Sequence, residues 1–245
     1  MIWSTRAAGP KTLPRSAPIA VCSCCGGEEF VSHAVLWKGL IQQWRISHDE
    51  TDYINRQQGT LCKGCGSNLR TSALAMAVMR AYRFSGTFRD WVRSPEAQRL
   101  SVLELNGAGN LTGFLRALPG HVEKSYPDVD MLSMPFPSHS FDLVLHSDTL
   151  EHVPHPVRGL AECRRILRPG GACCFTVPII AARLTRSRDG MSESFHGGPG
   201  DHKKDYLVHT EYGADAWRDV IEAGFSECRI ISAEYPSALA LVAMS

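Results

Sequence analysis

Long apolar runs are missing from these 245 residues, and no stretch approaches the roughly 20 apolar residues a membrane-crossing helix needs. The first residues lack the apolar core of a secretory signal. Arg6, Lys11 and Arg15 are spread among Gly, Pro and Ala, so a cytoplasmic protein with no membrane partner is expected. An excess of one charge is lacking too, with 26 Lys and Arg against 25 Asp and Glu. The imbalance that exists is local: residues 1–100 hold 13 basic against 7 acidic side chains, the remainder 13 against 18. A basic end hints at a phosphorylated or nucleic-acid partner, but ordinary solvated surface explains it more simply. Internal repeats are absent, as is any stripe of interleaved aromatic and basic residues for stacking bases. A nucleic-acid partner is therefore possible but not favoured.

Cysteine is plentiful, with nine residues, yet a disulfide framework is not expected where thiols are kept reduced. Cys163, Cys173, Cys174 and Cys228 sit among apolar residues and read as small core side chains. The other five crowd the N-terminal third. Cys22-Ser-Cys-Cys25-Gly26 and Cys62-Lys-Gly-Cys65-Gly66 repeat one device, CxxCG. The two-residue gap lets both thiolates of a pair face one ion, and the Gly permits the tight turn that aims N–H groups at the sulfurs. Two such pairs make a closed, tetrahedral, structural Zn2+ site from Cys22, Cys25, Cys62 and Cys65. A CxxC redox pair is the competing reading, and the duplication weighs against it. Cys24, inside the first turn, is expected to point away, although it could substitute for a neighbouring ligand.

Residues 1–18, with three prolines and no periodicity, read as a flexible tail. Helices are expected near 34–46, 50–57, 68–82 and 88–92. From residue 100 the pattern becomes strand–helix alternation, with strands at 102–105, 141–145, 172–177, 225–232 and 238–244. Helices at 111–118, 156–168 and 214–223 lie between them. That alternation argues for an α/β sheet in parallel order, with helices on both faces.

The first of these strands ends in Glu104-Leu-Asn106-Gly107-Ala-Gly109-Asn110, a Gly-rich turn that opens a helix. A nucleotide-type cofactor lies over such a turn. Alone it is weak evidence, but an ordered set follows: Asp130-Met131-Leu-Ser-Met-Pro135-Phe136, Ser140-Phe141-Asp142-Leu-Val, Leu150-Glu151-His152-Val, and Leu167-Arg-Pro169-Gly170-Gly171. This run, over about residues 100–178, resembles the class I S-adenosylmethionine (SAM)-dependent methyltransferases of the type 11 kind. The resemblance implies a Rossmann-like sheet, with residues 100–245 as the SAM-binding domain. Residues 19–99 would then be a small zinc-ribbon-like module with connector helices, similar to one found ahead of some bacterial methyltransferases.

The resemblance also implies roles. Glu104 sits behind the loop, while Asn106, Gly107 and Gly109 let the backbone approach the methionine part of SAM. Asp130 accepts from the adenine amino group and Met131 packs on the ring. Ser147 and Asp148 face the methionine end or the acceptor. Glu123, about 20 residues past the loop, stands where a ribose-binding carboxylate belongs. Two departures stand out. Asn106, Ala108 and Asn110 replace glycines common in the loop, and Asn tolerates positive φ better than other side chains. The passage from Glu104 to Asp142 is short for a full β-α-β-α-β unit, so a helix is expected to be missing.

A hydroxyl acceptor needs a base, and His152 and His196 are the catalytic candidates among several histidines near the strand ends. Residues 183–205, rich in Gly, Ser and charge, read as a cationic lid over the site. An enclosed pocket beneath it favours a small-molecule or sugar acceptor, nucleotide-linked ones included, methylated at oxygen. Methylation of RNA or protein, with the zinc module docking the polymer, is the first alternative. A binding protein with a degenerate SAM site is the second, since fold resemblance does not choose a substrate.

Overall fold

The computed structural model describes residues 13–196 and 204–245. The expected tail therefore has residues 1–12, and the expected lid residues 197–203, outside the described residues. In chain order the elements are β1 (Phe30–Ser32), α1 (Lys38–Trp44), α2 (His48–Gly59), β2 (Thr60–Cys62), α3 (Leu69–Ala81) and α4 (Phe88–Trp91). Then come β3 (Val102–Leu105), α5 (Leu111–Leu115), β4 (His121–Lys124), β5 (Phe141–Ser147), α6 (Pro156–Ile166) and β6 (Leu167–Thr176). The chain finishes with β7 (Arg186–Ser187), β8 (Thr210–Glu211), α7 (Trp217–Glu222), β9 (Glu227–Glu234) and β10 (Ala238–Met244). None of the described helices is long and apolar enough to cross a membrane.

Six strands form the central sheet in the order β4-β3-β5-β6-β10-β9. β4, β3, β5 and β6 run parallel, and β10 is antiparallel to both β6 and β9. The fully parallel expectation is corrected at this edge. Only Tyr235, Pro236 and Ser237 separate β9 from β10, enough for a hairpin and far too few for a crossover. Successive residues divide between the two faces, as the pleat requires. Val102, Leu143, Leu145, Cys174 and Val242 join one core, with Leu69, Leu74, Val78, Leu111 and Leu115. Leu103, Val144, Cys173 and Leu241 join the other, with Leu160, Cys163, Ile166 and Val220 from α6 and α7. Helices thus cover both faces of a Rossmann-like sheet. The expected missing helix is missing: residues 125–140 between β4 and β5 contain neither helix nor strand.

α3 starts at Asn68, whose side chain accepts from the Thr71 N–H at 2.8 Å and so satisfies one free donor of the first turn. The helix packs across β10, β9 and β6, and Leu69, Leu74 and Val78 are wholly buried there. Burial of that kind contributes about 1.5–3 kcal/mol per side chain. A boundary at residue 100 cuts through this packing, because the expected connector helix covers one face of the sheet. The described end of the expected tail, residues 13–18, and the residue after it are tied to the turn after β9 and to that strand's last residue. Ser16 N–H donates to the Tyr235 carbonyl at 2.9 Å and Ile19 N–H to Glu234 at 2.9 Å.

Candidate cofactor and acceptor site

The N-terminal cysteines converge. One sulfur from each of Cys22, Cys25, Cys62 and Cys65 lies within 4.8 Å of the other three. Cys22 and Cys65 are 3.7 Å apart, Cys25 and Cys62 3.6 Å. Thiolates held about 2.3 Å from a tetrahedral zinc lie about 3.8 Å from one another, so the cluster fits that ion. Gly26 and Gly66, at φ 81° and 73°, close the two turns, and Gly27 N–H points at the Cys25 sulfur at 3.4 Å. β1 and β2 pair antiparallel, with Phe30 opposite Cys62, and hold the two turns in register. Cys24 corrects its expectation. It is wholly buried with its thiol against Cys22 and Cys65, and its hydrogen bonds draw those two thiols down to about 6 and about 4.

The Gly-rich turn lies beside this cluster. Asn110 donates its side-chain N–H to the Cys65 carbonyl at 2.8 Å, and a Cβ on Gly109 would meet Thr71 Oγ1 at 3.3 Å. Asn106, Gly107 and Gly109 all have positive φ, at 57°, 76° and 59°. A Cβ on Gly107 would meet nothing within 4 Å, so the backbone there is open to a ligand. Asn106 holds its conformation by accepting from the Tyr126 N–H at 2.8 Å. Glu104 is wholly buried and its carboxylate is fully engaged. It accepts from Ala108 N–H at 2.6 Å and from the Thr112 hydroxyl, and meets His121 Nε2 at 2.7 Å. It braces the loop from behind.

Over the carboxyl ends of the strands lies a cleft of about 660 Å³, lined by Asn106, Asp130, Met131, Asp148, His152 and His196 among others. Six residues singled out in the sequence therefore meet around one space. Five others, Glu104, Gly107, Gly109, Glu123 and Ser147, are not part of its lining. Glu123, in register with Glu104, turns to Arg116 at 3.3 Å, and Ser125 and Tyr126 occupy the cleft wall instead. Ser147 Oγ is bonded to Thr176 Oγ1 at 2.8 Å, and Glu104 stays behind the turn.

A second cavity of about 230 Å³ joins the first at Asp148, His152 and His196. Its apolar walls, Leu36, Trp37, Leu40, Trp44 and Ile54, come from the N-terminal module, and Ile180 comes from beyond β6. Sequence reasoning missed these walls, because bulky residues on a short helix read as core. Its polar end carries Asp148, Glu151, His152 and His196. Asp148, at φ 48°, is ion-paired to Arg70 from α3, yet burial raises its carboxyl to about 6 against that cation. Burial works against the Glu151 charge as well, and the facing histidines nevertheless hold its carboxyl below the ordinary range.

The cationic lid is corrected. Arg183 binds Glu50 at 2.7–2.8 Å and the Trp44 carbonyl at 2.8 Å, while Arg186 and Arg188 both go to Glu211. Arg188 also lies over the Trp44 ring, 5.3 Å from its centroid. Arg183 and the Arg188–Trp44 contact tie the segment to the N-terminal module, whereas Arg186 ties it to β8. Trp44 Nε1 adds a bond to Ser194 Oγ at 2.8 Å, and Gln43 one to the Glu193 carbonyl at 2.8 Å.

Residues 61–175 match the family model described as a methyltransferase domain. A probable S-adenosylmethionine-dependent methyltransferase of Mycolicibacterium smegmatis is 34% identical over 87 residues, covering 33% of this chain and 33% of the relative. The chloroplastic 2-methyl-6-phytyl-1,4-hydroquinone methyltransferase 2 of Oryza sativa subsp. japonica is 38% identical over 50 residues, 20% of this chain and 14% of the relative. The matched segments thus span a third or less of these relatives' lengths. Among solved structures, the trans-methyltransferase CalH in complex with SAH is similar over 80% of this chain and 57% of its own, at 14% identity and a TM-score of 0.41.

Proposed function

We propose that this chain transfers a methyl group from SAM to an oxygen of a small acceptor, with a structural zinc ion in its N-terminal module. The observation that carries this reading is the pair of joined cavities. SAM would lie in the larger one, with its methionine end over Gly107 and Gly109, its adenine amino group on Asp130 and its ring on Met131. When bound, it supplies an electrophilic methyl group on a sulfonium. Transfer then depends on holding the acceptor atom in line about 3 Å from that carbon, so positioning contributes most of the acceleration.

The acceptor would occupy the smaller cavity, whose volume of about 230 Å³ suits one compact molecule and shuts out a polymer. Leu36, Trp37 and Leu40 would grip its apolar body, while His152 and His196 act on its polar end, where the cavities meet. The nucleotide-linked acceptor loses its support, because Arg183, Arg186 and Arg188 are engaged with carboxylates. Cys22, Cys25, Cys62 and Cys65 would hold the zinc, which serves folding and touches neither cavity.

The test is transfer of labelled methyl from SAM to a panel of hydroxylated small molecules, with ribosomal RNA and protein in parallel. Label in a small phenol or alcohol, reduced at least about a hundredfold in His152→Ala, is the expected result. Label confined to RNA or protein would replace the acceptor class.

A further inference from the structure

We propose that Glu151, His152 and His196 form a second metal site, for a divalent first-row transition ion, apart from the four cysteines. One ligand atom of each lies within 4.8 Å of the other two. Glu151 is 1% exposed, and neither of its carboxylate oxygens receives a hydrogen bond from the protein. His152 Nε2 and His196 Nδ1 face its Oε1 at 3.7 and 3.8 Å, beyond hydrogen-bond length. A buried carboxylate whose facing rings stand beyond hydrogen-bond length is costly, and a cation between it and the rings would satisfy it.

The hydrogen bonding of His152 suits a metal ion as that cation. Its Nδ1 lies 2.9 Å from the Leu207 carbonyl oxygen, which can only accept, so Nδ1 carries the proton. In the neutral ring, Nε2 then turns a lone pair toward the carboxylate. Two lone pairs facing each other repel, and an ion between them makes both into ligands. A carbonyl on the far nitrogen is the ordinary outer partner of a metal-bound imidazole. His196 is steadied in turn by Trp44, with ring centroids 5.4 Å apart, and by its N–H on the Tyr206 carbonyl at 2.9 Å.

Two imidazoles and one carboxylate select a transition ion over magnesium or calcium, which prefer all-oxygen shells. Ligand atoms about 2.0–2.2 Å from a tetrahedral ion lie roughly 3.3–3.6 Å apart, so a slight contraction completes the site. Three protein ligands leave a position open, unlike the closed cysteine cluster. His152 and His196 border both cavities, so that position suits an oxygen of the acceptor. The two histidines then serve as ligands, not as bases. This role for the ion rests on the methyltransferase reading, whereas its binding does not.

The experiment titrates Zn2+ by calorimetry into protein whose cysteine site is already filled, without SAM or acceptor. One further equivalent is expected. It should weaken at least about tenfold in Glu151→Gln and in His196→Ala, with circular dichroism and the first zinc unchanged. No second equivalent, or one that both variants retain, overturns the site and leaves a protonated histidine pair as the partner of Glu151. Co2+ added to zinc-loaded wild-type protein tests the site without any substitution. Weak ligand-field bands without thiolate charge-transfer bands are expected, and thiolate bands or no bands contradict the proposal. SAM binding is measured separately, so failure of the metal site and failure of the methyltransferase reading are distinguishable.

Discussion

His146 lies wholly buried on β5, its ring stacked on Phe175 with centroids 4.9 Å apart, and neither ring nitrogen has a partner in the protein. Burial draws its pKa down to about 4 from an ordinary value of 6.5. The unfolded chain therefore binds a proton between those values that the folded chain refuses. Stability is intact above pH 6.5 and is lost as pH falls toward 4. Between pH 6.5 and pH 5 the loss from this residue is on the order of 1–2 kcal/mol. His146→Leu should unfold with a weaker pH dependence by that amount in denaturant titrations at the two pH values. An unchanged dependence would mean that the ring finds a partner in solution. His146 lines neither cavity and serves the packing of β5 against Phe175.

Among the elements, the cysteine turns and the Gly-rich turn are tied together by Asn110 on the Cys65 carbonyl and by α3, which begins just after Cys65 and pairs Arg70 with Asp148. A structural zinc in such a module contributes on the order of 10 kcal/mol to its folding. Stripping it with a chelator should loosen the N-terminal module and weaken SAM binding at the neighbouring turn, while the sheet keeps its far-ultraviolet signature. A metal-free protein that binds SAM as tightly as the loaded one would break that connection. Cys24→Ser should also be costly, since the Cys24 thiol is buried against two of the four sulfurs.

The same elements show what the chain made legible. β3, β5 and α6 announced themselves through their apolar patterns and β3 also through the Gly-rich turn that ends it, whereas β6 begins at Leu167, inside the stretch expected as helix. The missing helix was readable as a deficit of residues. β4 was not, because its sequence His-Val-Glu-Lys has one apolar residue and its pairing with β3 is what makes it a strand. β1 and β2 were hidden for a similar reason, each being three residues long. The site was legible where a motif fixes the backbone, as at Asn106 and Asp130. Glu123 lies off the cleft lining because spacing counts residues and cannot tell which side of a short strand they face. The lid arginines failed because charge counts do not reveal partners, and Glu50 and Glu211 lie far from them in sequence.

On the scale of the whole molecule, the N-terminal module closes over the strand ends. Trp44 and Gln43 from α1 grip the segment that carries Ser194 and His196, and Leu36, Trp37 and Leu40 wall the smaller cavity against Ile180. Binding space is therefore made jointly by the module and the sheet, with Asp148, His152 and His196 where the two cavities meet. Everything said of acceptor and chemistry depends on SAM entering the larger cleft. Calorimetric titration of SAM into the zinc-loaded chain tests this most directly. One site per chain is expected, weakened by about 1–3 kcal/mol in Asp130→Ala, the worth of a hydrogen bond to a charged group. Absence of any heat of binding at millimolar SAM would contradict the account and leave a chain that keeps the fold without the cofactor.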